Sequence, residues 1–536
     1  MRKSLQLIAL LAALPIGATS YYISNSGSDA NAGTSEGSPW ITLSNASYRT
    51  FAAGDFVLLK RGDRFAGPLY ITNAGALGSP ITLASYGSGA APVVYGDHTN
   101  IVWSAATGYA GFFTNPPLSS ISNPQLLYDA SGTKYYDVGN RLSTPYATWL
   151  ATFTNNCWGQ DNQTRIFYIK PANSNAPTFM RMFDYRTVKL SGGYGVVRDL
   201  EITAGNNGIT VSGAGNLISN NVLNNMLGIS IEPTACWNSE VVSNHIYSCA
   251  YTMIYPIQPG GNNWFHYNRL ETNTTTILGN VVAPAIELNG FGFLGQTNNL
   301  TEHNVVRWMD HNFFDFFYEA NSEIRFNDCF HGGGGSPGGT GIKFHHNVMD
   351  CDGVGTGIIV AHYWSEENQI PEDTGPVVVY NNTVLNFRTA GPYSLTGSTG
   401  AMVFNNIFST VTDYAGNSTA VYTNGVTSDY NLYYSTGVSP RWKWGTTNHS
   451  TLAAFFAVSG QDGHSIYTNA GLVGYVTPAT SPAIRAGTNL ITAGLVQSPQ
   501  YDFAGRLIPG TWSIGAYDML AGVQTLNIGG NLIFTP

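Results

Sequence analysis

Charge is what this sequence has least of. Only 10% of its 536 residues are Asp, Glu, Lys or Arg, and 23 basic side chains face 32 acidic ones. The net charge of −9 argues against a nucleic-acid partner, because phosphate binding needs concentrated Lys and Arg. Cysteine is scarce too: Cys157, Cys236, Cys249, Cys329 and Cys351. None stands in a CxxC spacing, so a structural zinc site is not expected. An odd count leaves at least one thiol unpaired, and the five are expected to be small core residues with one or two bridges. Long apolar runs are missing beyond the start, so no membrane span is expected. The one such run, Leu5 to Leu14, follows Arg2 and Lys3 and precedes Gly17, Ala18 and Ser20. That layout is a secretory signal over residues 1–20, cleaved near Tyr21, and the chain is expected outside the cell.

What the chain does have is 61 glycines, 13% aromatics, and many Asn, Ser and Thr residues. Such a surface hydrogen-bonds through neutral groups and suits sugars better than phosphates. An asparagine also recurs in a fixed apolar frame, at Asn220, Asn244, Asn280, Asn304, Asn327, Asn347, Asn382 and Asn406. The spacings are 24, 36, 24, 23, 20, 35 and 24 residues. Two positions after each stand Val222, Ile246, Val282, Val306, Cys329, Met349, Val384 and Phe408. Strand-like alternation with this period marks a β-solenoid whose coils stack at about 4.8 Å. An Asn at the same turn of every coil bonds the Asn above and below and supplies buried backbone with partners. Leucine-rich repeats share such an Asn but need several fixed leucines per unit, which are absent.

Further stretches carry a resemblance. Tyr21 to Asp29, Gly33 to Trp40 and Pro80 to Gly87 near one end, and Ser481 to Gly487 and Ile514 to Tyr517 near the other, resemble secreted right-handed parallel β-helix proteins of the pectate-lyase-like superfamily. The resemblance implies an all-β fold of three-strand coils with an Asn ladder. It implies a cap and first coils over 21–100 and regular coils over 187–435. Residues 436–536 are expected to cap the C-terminal end, because open solenoid ends expose strand edges. Residues 101–186, with Trp103, Trp149, Trp158 and the run Arg165 to Lys170, break the pattern and are expected to form an antiparallel β excursion. The fold hosts lyases, hydrolases, epimerases and non-enzymes, so function has to come from the site.

In such relatives one strand of each coil builds a groove. Applied here, the groove strands are Gly228 to Glu232, Thr252 to Tyr255, Ala285 to Leu288, Phe313 to Phe317 and Gly357 to Val360. Alternation then turns Glu232, Glu287 and Asp315 outward, with Glu319 continuing the row. Glu287 and Asp315 fall on neighbouring coils, about 5 Å apart if in register, which is the separation a retaining glycosidase uses. Crowded carboxylates raise one pKa and keep one acid protonated as proton donor. The same acids offer the oxygens that calcium takes, or are solvated outer residues; no other cofactor is suggested and any metal is undetermined. The two long coils place their surplus in Gln258 to Asn273 and His362 to Gly375. These loops carry sugar-binding types: Trp264, His266, Tyr267 and Arg269, then His362, Tyr363, Trp364 and Glu366. Tyr255 and Arg307 join them as binding candidates. His311 and His331 suit turn hydrogen bonding better than chemistry. Glu302, Arg325, Glu323, Lys343 and His345 form a cross-strand charge ladder on the sheet, worth a few tenths to ~1 kcal/mol per pair.

Together these features predict an exported monomer acting on a polysaccharide or oligosaccharide. Glycoside hydrolysis leads, since the predicted groove strands carry acids and aromatics but no Lys or Arg. Elimination of a uronate, or glycan binding without catalysis, are the alternatives.

Overall fold

The computed structural model describes residues 17–518 except 48, 99–101, 116–123, 130–133, 139–143, 162, 165, 177–179, 185, 273–275, 278–279, 282–288, 354–356, 361–375, 389–390, 395–399, 411–419, 423–424, 436–438, 498–499 and 509. The expected signal therefore lies almost wholly outside the described residues. The chain divides into two compact units, Met1–Leu223 with Asn238–Glu240, and Asn224–Trp237 with Val241–Pro536. Both are wound from parallel three-strand coils, and the fold is a right-handed parallel β-helix.

In the first unit, Ser20–Ile23, Phe56–Lys60, Ile81–Tyr86, Gly195–Arg198 and Leu217–Ser219 form one parallel face. Trp40 is fully buried and stacks on Tyr21 at 5.2 Å, sealing the start of the coils. The antiparallel excursion is present: strands from Asp97–His98 to Met180–Asp184 form an eight-stranded sheet in which only Lys134–Asp137 and Cys157–Gln160 pair in parallel. Its own small core packs Phe112, Trp149, Phe153 and Tyr168. Asn221, not Asn220, takes the inner turn position: the Leu200 N–H donates to its Oδ1 (3.2 Å) and its Nδ2 donates to the Val197 carbonyl (3.0 Å). Asn220 sits one residue outside it with φ 54° and donates to Asp199.

In the second unit each coil runs first strand, ladder asparagine, second strand, turn, third strand. First strands include Trp264–His266, Leu300–Glu302, Glu323–Arg325, Lys343–His345 and Val378–Tyr380. Second strands include His245–Cys249, Arg269–Glu271, Val305–Arg307, Asp328–Phe330 and Val348–Asp350. Third strands include Phe291–Leu294, Asn312–Phe317, Gly333–Ser336 and Ile358–Val360. The ladder runs Asn244, Asn268, Asn304, Asn327, Asn347, Asn382, Asn406 and Asn431. Along it, both the backbone N–H and the Nδ2 of one Asn donate to the next Oδ1 at 2.9–3.1 Å. Asn268 therefore replaces Asn280, which lies in a short antiparallel hairpin, Thr276–Ile277 with Asn280–Val281. The extra residues of that coil fall before the third strand. Within the predicted loop over 258–273, Trp264–His266 is a first strand and Arg269–Glu271 a second strand, preceded by the short strand Gly260–Gly261.

Inside the coils, Phe291, Phe293, Phe314 and Phe316 are buried and stack at 4.7–6.2 Å. A Cβ on Gly335 would sit 2.7 Å from the Phe344 ring, so any larger residue there would have to displace that buried ring. All five cysteines are buried and free, so the expected bridges do not form; the thiols pack as small core side chains. Residues beyond Ile466–Tyr467 do more than close the end. They turn back along the outer side of the coils: Asn381 Nδ2 donates to the Ser513 and Gly515 carbonyls, and Trp512, Leu490 and Ile508 pack on Val378 and Tyr380.

Asn327 donates to the Thr301 and Arg325 carbonyls and to Asn347 Oδ1 while accepting from Asn304. Replacing it by Leu strands several buried polar groups at once. Asn327→Leu should lower unfolding stability by about 3 kcal/mol or more in urea titrations; a loss under ~1 kcal/mol would contradict the ladder's role.

Candidate functional site

Backbone register decides which side chains meet. Ile231 pairs with Ile254, Ile254 with Phe291, and Phe291 with Phe314, all four buried inside the coil. The next residue of each strand faces the other way. One outer row therefore holds Glu232, Tyr255, Gly292, Asp315 and Ser336. Tyr255 and Asp315 enter it as expected, and Gly292 holds the register position beside Asp315 on the neighbouring coil, where the third strand is Phe291–Leu294. Glu287 itself lies outside the described residues. Glu232 is in the row but three coils from Asp315, about 14 Å, too far for either glycosidase geometry. It is fully buried and accepts from Thr234 Oγ1 at 3.1 Å.

Gly292 leaves room that Tyr255 fills, since a Cβ there would lie 3.0 Å from the Tyr255 ring. The ring thus leans over the gap towards the coil of Asp315. Asp315 is buried, and its Oδ2 lies 3.4 Å from Asn289 Nδ2 and 3.9 Å from His311 Nδ1. His311 Nδ1 and Asn289 Oδ1 are 2.9 Å apart, and the amide oxygen can only accept, so the imidazole carries its proton on Nδ1. Burial lowers the His311 pKa, which favours the neutral ring at neutral pH. Nε2 is then the basic nitrogen, on a half-exposed side chain. The Asp315–Asn289–His311 group fixes a tautomer and supplies negative charge to a forming imidazolium. The sequence alternation of Asn289-Gly-Phe-Gly-Phe-Leu294 carries the strand signal that would have found it.

Glu319 departs from the row. Tyr318, at φ 57°, breaks the alternation, and Glu319 is buried on the short strand Glu319–Ala320 that precedes the next first strand. It accepts from Ser322 Oγ and from Asn299 Nδ2 (3.0 Å), while Oε2 has no hydrogen-bond partner among the described residues. Burial pushes this carboxyl up to about 7 against the pull of those hydrogen bonds.

The remaining predicted binders are dispersed. Trp264 and His266 stack on each other at 3.7 Å on the first-strand face, where Trp264 Nε1 donates to Glu302. Tyr267 stands on the ladder turn and Arg269 on the second-strand face. Arg307, also on a second strand, is paired with Asp328 at 2.6 Å. None of these five lies on a third strand. His362, Tyr363, Trp364 and Glu366 lie outside the described residues. His331 bonds Asp352 at 2.9 Å. The charge ladder forms, with Arg325 bridging Glu302 (2.7 Å) and Glu323 (2.6 Å) and His345 joining Glu323 (2.9 Å). Among the described residues no group of three or more His, Cys, Asp or Glu side chains is placed to hold a metal ion, and no helix is long and apolar enough to cross a membrane.

Comparison with solved structures aligns 94% of the chain with 98% of XylC, determined in complex with xylose, at 12% identity and a TM-score of 0.57. The chain has the fold of the pectate-lyase-like β-helix proteins. The β-helix also aligns over 80% of this chain and 67% of the other with the GH136 lacto-N-biosidase of Eubacterium ramulus, at 15% identity and a TM-score of 0.43. No family model matches the chain. Among curated proteins, the lacto-N-biosidase of Bifidobacterium longum subsp. longum is 45% identical over 74 residues, 13% of this β-helix protein. The match spans 5% of that relative's length.

Glu319 generates a pH prediction. Its folded-state pKa, about 7, lies above the ordinary 4.5, so protonation favours the folded chain. The stabilising contribution is complete below about pH 4.5 and is lost as pH rises through about 7. Thermal melts of Glu319→Gln should lose part of the parent's decline in Tm between pH 5 and pH 8; an identical decline in both would refute the assignment.

Proposed function

We propose that this protein is an exported carbohydrate-active enzyme that cleaves glycosidic bonds by hydrolysis on its third-strand face. The observation that carries the reading is the buried Asp315 tied through Asn289 to a half-exposed neutral His311, beside Tyr255 in one outer row. In this reading His311 Nε2 takes the proton of the attacking water, and Asp315 stabilises the imidazolium so formed. Glu287, two residues before Asn289, is proposed as the acid that protonates the leaving oxygen. Tyr255 is proposed to line the sugar subsite. The local likeness to a curated lacto-N-biosidase supports hydrolysis over elimination. So does the absence of Lys and Arg from Phe291–Leu294, Asn312–Phe317 and Gly333–Ser336, since elimination of a uronate needs its carboxylate neutralised.

A second reading has one observation in its favour: the same basic Nε2 would serve as the proton-abstracting base of a β-elimination. Product chemistry separates the two. Incubation with a panel of oligosaccharides and polysaccharides should release reducing ends without the ultraviolet absorbance of an unsaturated uronate; that absorbance would establish elimination instead. His311→Ala and Asp315→Asn should each lower kcat about 100-fold or more with melting temperatures near the parent's. The acidic limb of the pH–rate profile should fall below pH 6.5, the direction in which burial moves His311. Unchanged turnover in both variants would remove the site.

A further inference from the structure

In each coil of the second unit the residue before the ladder asparagine has a left-handed backbone, with φ between 52° and 56° from Ser243 to Tyr430. Bulky side chains rarely adopt that conformation, whereas Asn tolerates it. Ser243, Asn381 and Asn405 follow this preference. Five coils carry rings instead: Tyr267, His303, Phe326 and His346 on consecutive coils, and Tyr430 at the last ladder turn. The four consecutive rings form a column at successive centroid distances of 5.2, 5.3 and 5.6 Å. One end is closed, because His346 is fully buried and packs against Tyr380. The other end is open. Tyr267 is 53% exposed; one ring face lies on His303 with planes only 7° apart, His266 meets its edge at 5.2 Å, and the turn of the preceding coil holds Ser243 in the matching place. At the equivalent turn, Tyr430 has its ring stacked on His464 at 4.7 Å, whereas about half of Tyr267 remains in water.

Polar groups stand on the second strand that leaves this turn and on its partner in the preceding coil. Arg269 and Glu271 occupy alternate positions around the buried Leu270, and Arg269 is paired to Glu271 at 2.7 Å. His245, in register with Arg269 on the preceding coil, is 2.8 Å from Glu271. The Arg269 side chain is 59% exposed and keeps guanidinium N–H groups beyond those spent on Glu271. The two charges cancel, which suits a neutral hydroxyl-bearing ligand better than a uronate. We propose that the open face of Tyr267, with Arg269, Glu271 and His245, binds a pyranose ring of a neutral glycan chain, at a surface apart from the third-strand row. The ring accepts the apolar C–H face of the sugar, while the Arg269–Glu271 pair donates to and accepts from its hydroxyls. Such a surface holds a polymer to the enzyme without touching the bond being cut.

The test reads binding and not cleavage, so it stands or falls separately from the hydrolase reading. Asp315→Asn protein, with and without Tyr267→Ala, is run on native gels cast with a soluble β-glucan, an arabinoxylan, a galactan or, as the charged comparison, polygalacturonate. At least one neutral polymer should retard the Asp315→Asn chain. Tyr267→Ala should weaken that retardation at least fivefold, and Tyr267→Phe, which keeps the ring and the fold, should restore it. Tyr267→Ala in the otherwise unaltered chain should leave turnover of short oligosaccharides within twofold of the parent. No retardation by any neutral polymer, or equal retardation of the Tyr267→Ala chain, would overturn the proposal. So would loss of short-substrate turnover, which would put Tyr267 in the cleavage site.

Discussion

A coil of about two dozen residues cannot close on itself without turning its backbone through the interior, and every such turn leaves peptide groups that water does not reach. The buried asparagine column answers that constraint. Each carboxamide oxygen accepts twice from the coil before it, and each Nδ2 also reaches a first-strand carbonyl: Val241 for Asn268, Phe265 for Asn304, Thr301 for Asn327. Because every asparagine of the column bonds the next coil, no turn is satisfied alone, and the stack has to stay in step. At its end Asn431 passes to Ser465 and Asp462, and burial pushes the Asp462 carboxyl up to about 6 despite the hydrogen bonds it accepts.

Fixed stacking is what makes a shared outer row possible. Register carries Glu232, Tyr255, Gly292, Asp315 and Ser336 onto one outer line, and an insertion of any length between strands leaves that line intact. Between Glu271 and Phe291 stand a small hairpin, Thr276–Ile277 with Asn280–Val281, and Asn289, which meets Asp315 and His311. The turn column gains in the same way, since a ring placed before each ladder asparagine falls on the ring of the next coil.

Much of the scaffold was legible. Six of the eight asparagine frames read from the sequence are ladder positions, and the Trp-rich antiparallel excursion is there. The two misplaced frames have local causes. Asn220 and Asn221 are adjacent, and only backbone direction tells which one turns inward. Asn280 has the apolar flank of a ladder residue, but hairpin strands carry the same flank, and the true ladder residue, Asn268, follows aromatic Trp264-Phe-His-Tyr. That slip moved the groove strand from Phe291–Leu294 to 285–288 and paired Glu287 with Asp315. The carboxylate row failed at its other end for a different reason: one left-handed residue, Tyr318, resets the alternation and sends Glu319 inward.

The sequence by itself determined the class of object: a stacked, charge-poor β-solenoid with an aromatic and acidic surface. Period, composition and strand alternation are local quantities, and they suffice for that. Only the tertiary structure decided which side chains share a face. Register is set by how coils stack, and a residue's neighbours one coil away are 20 to 36 positions distant in the chain. Identity, spacing and polarity of Asp315, Asn289 and His311 were all visible beforehand. Their meeting was not, because it depends on a loop's return path and on which of two similar strands the sheet accepts.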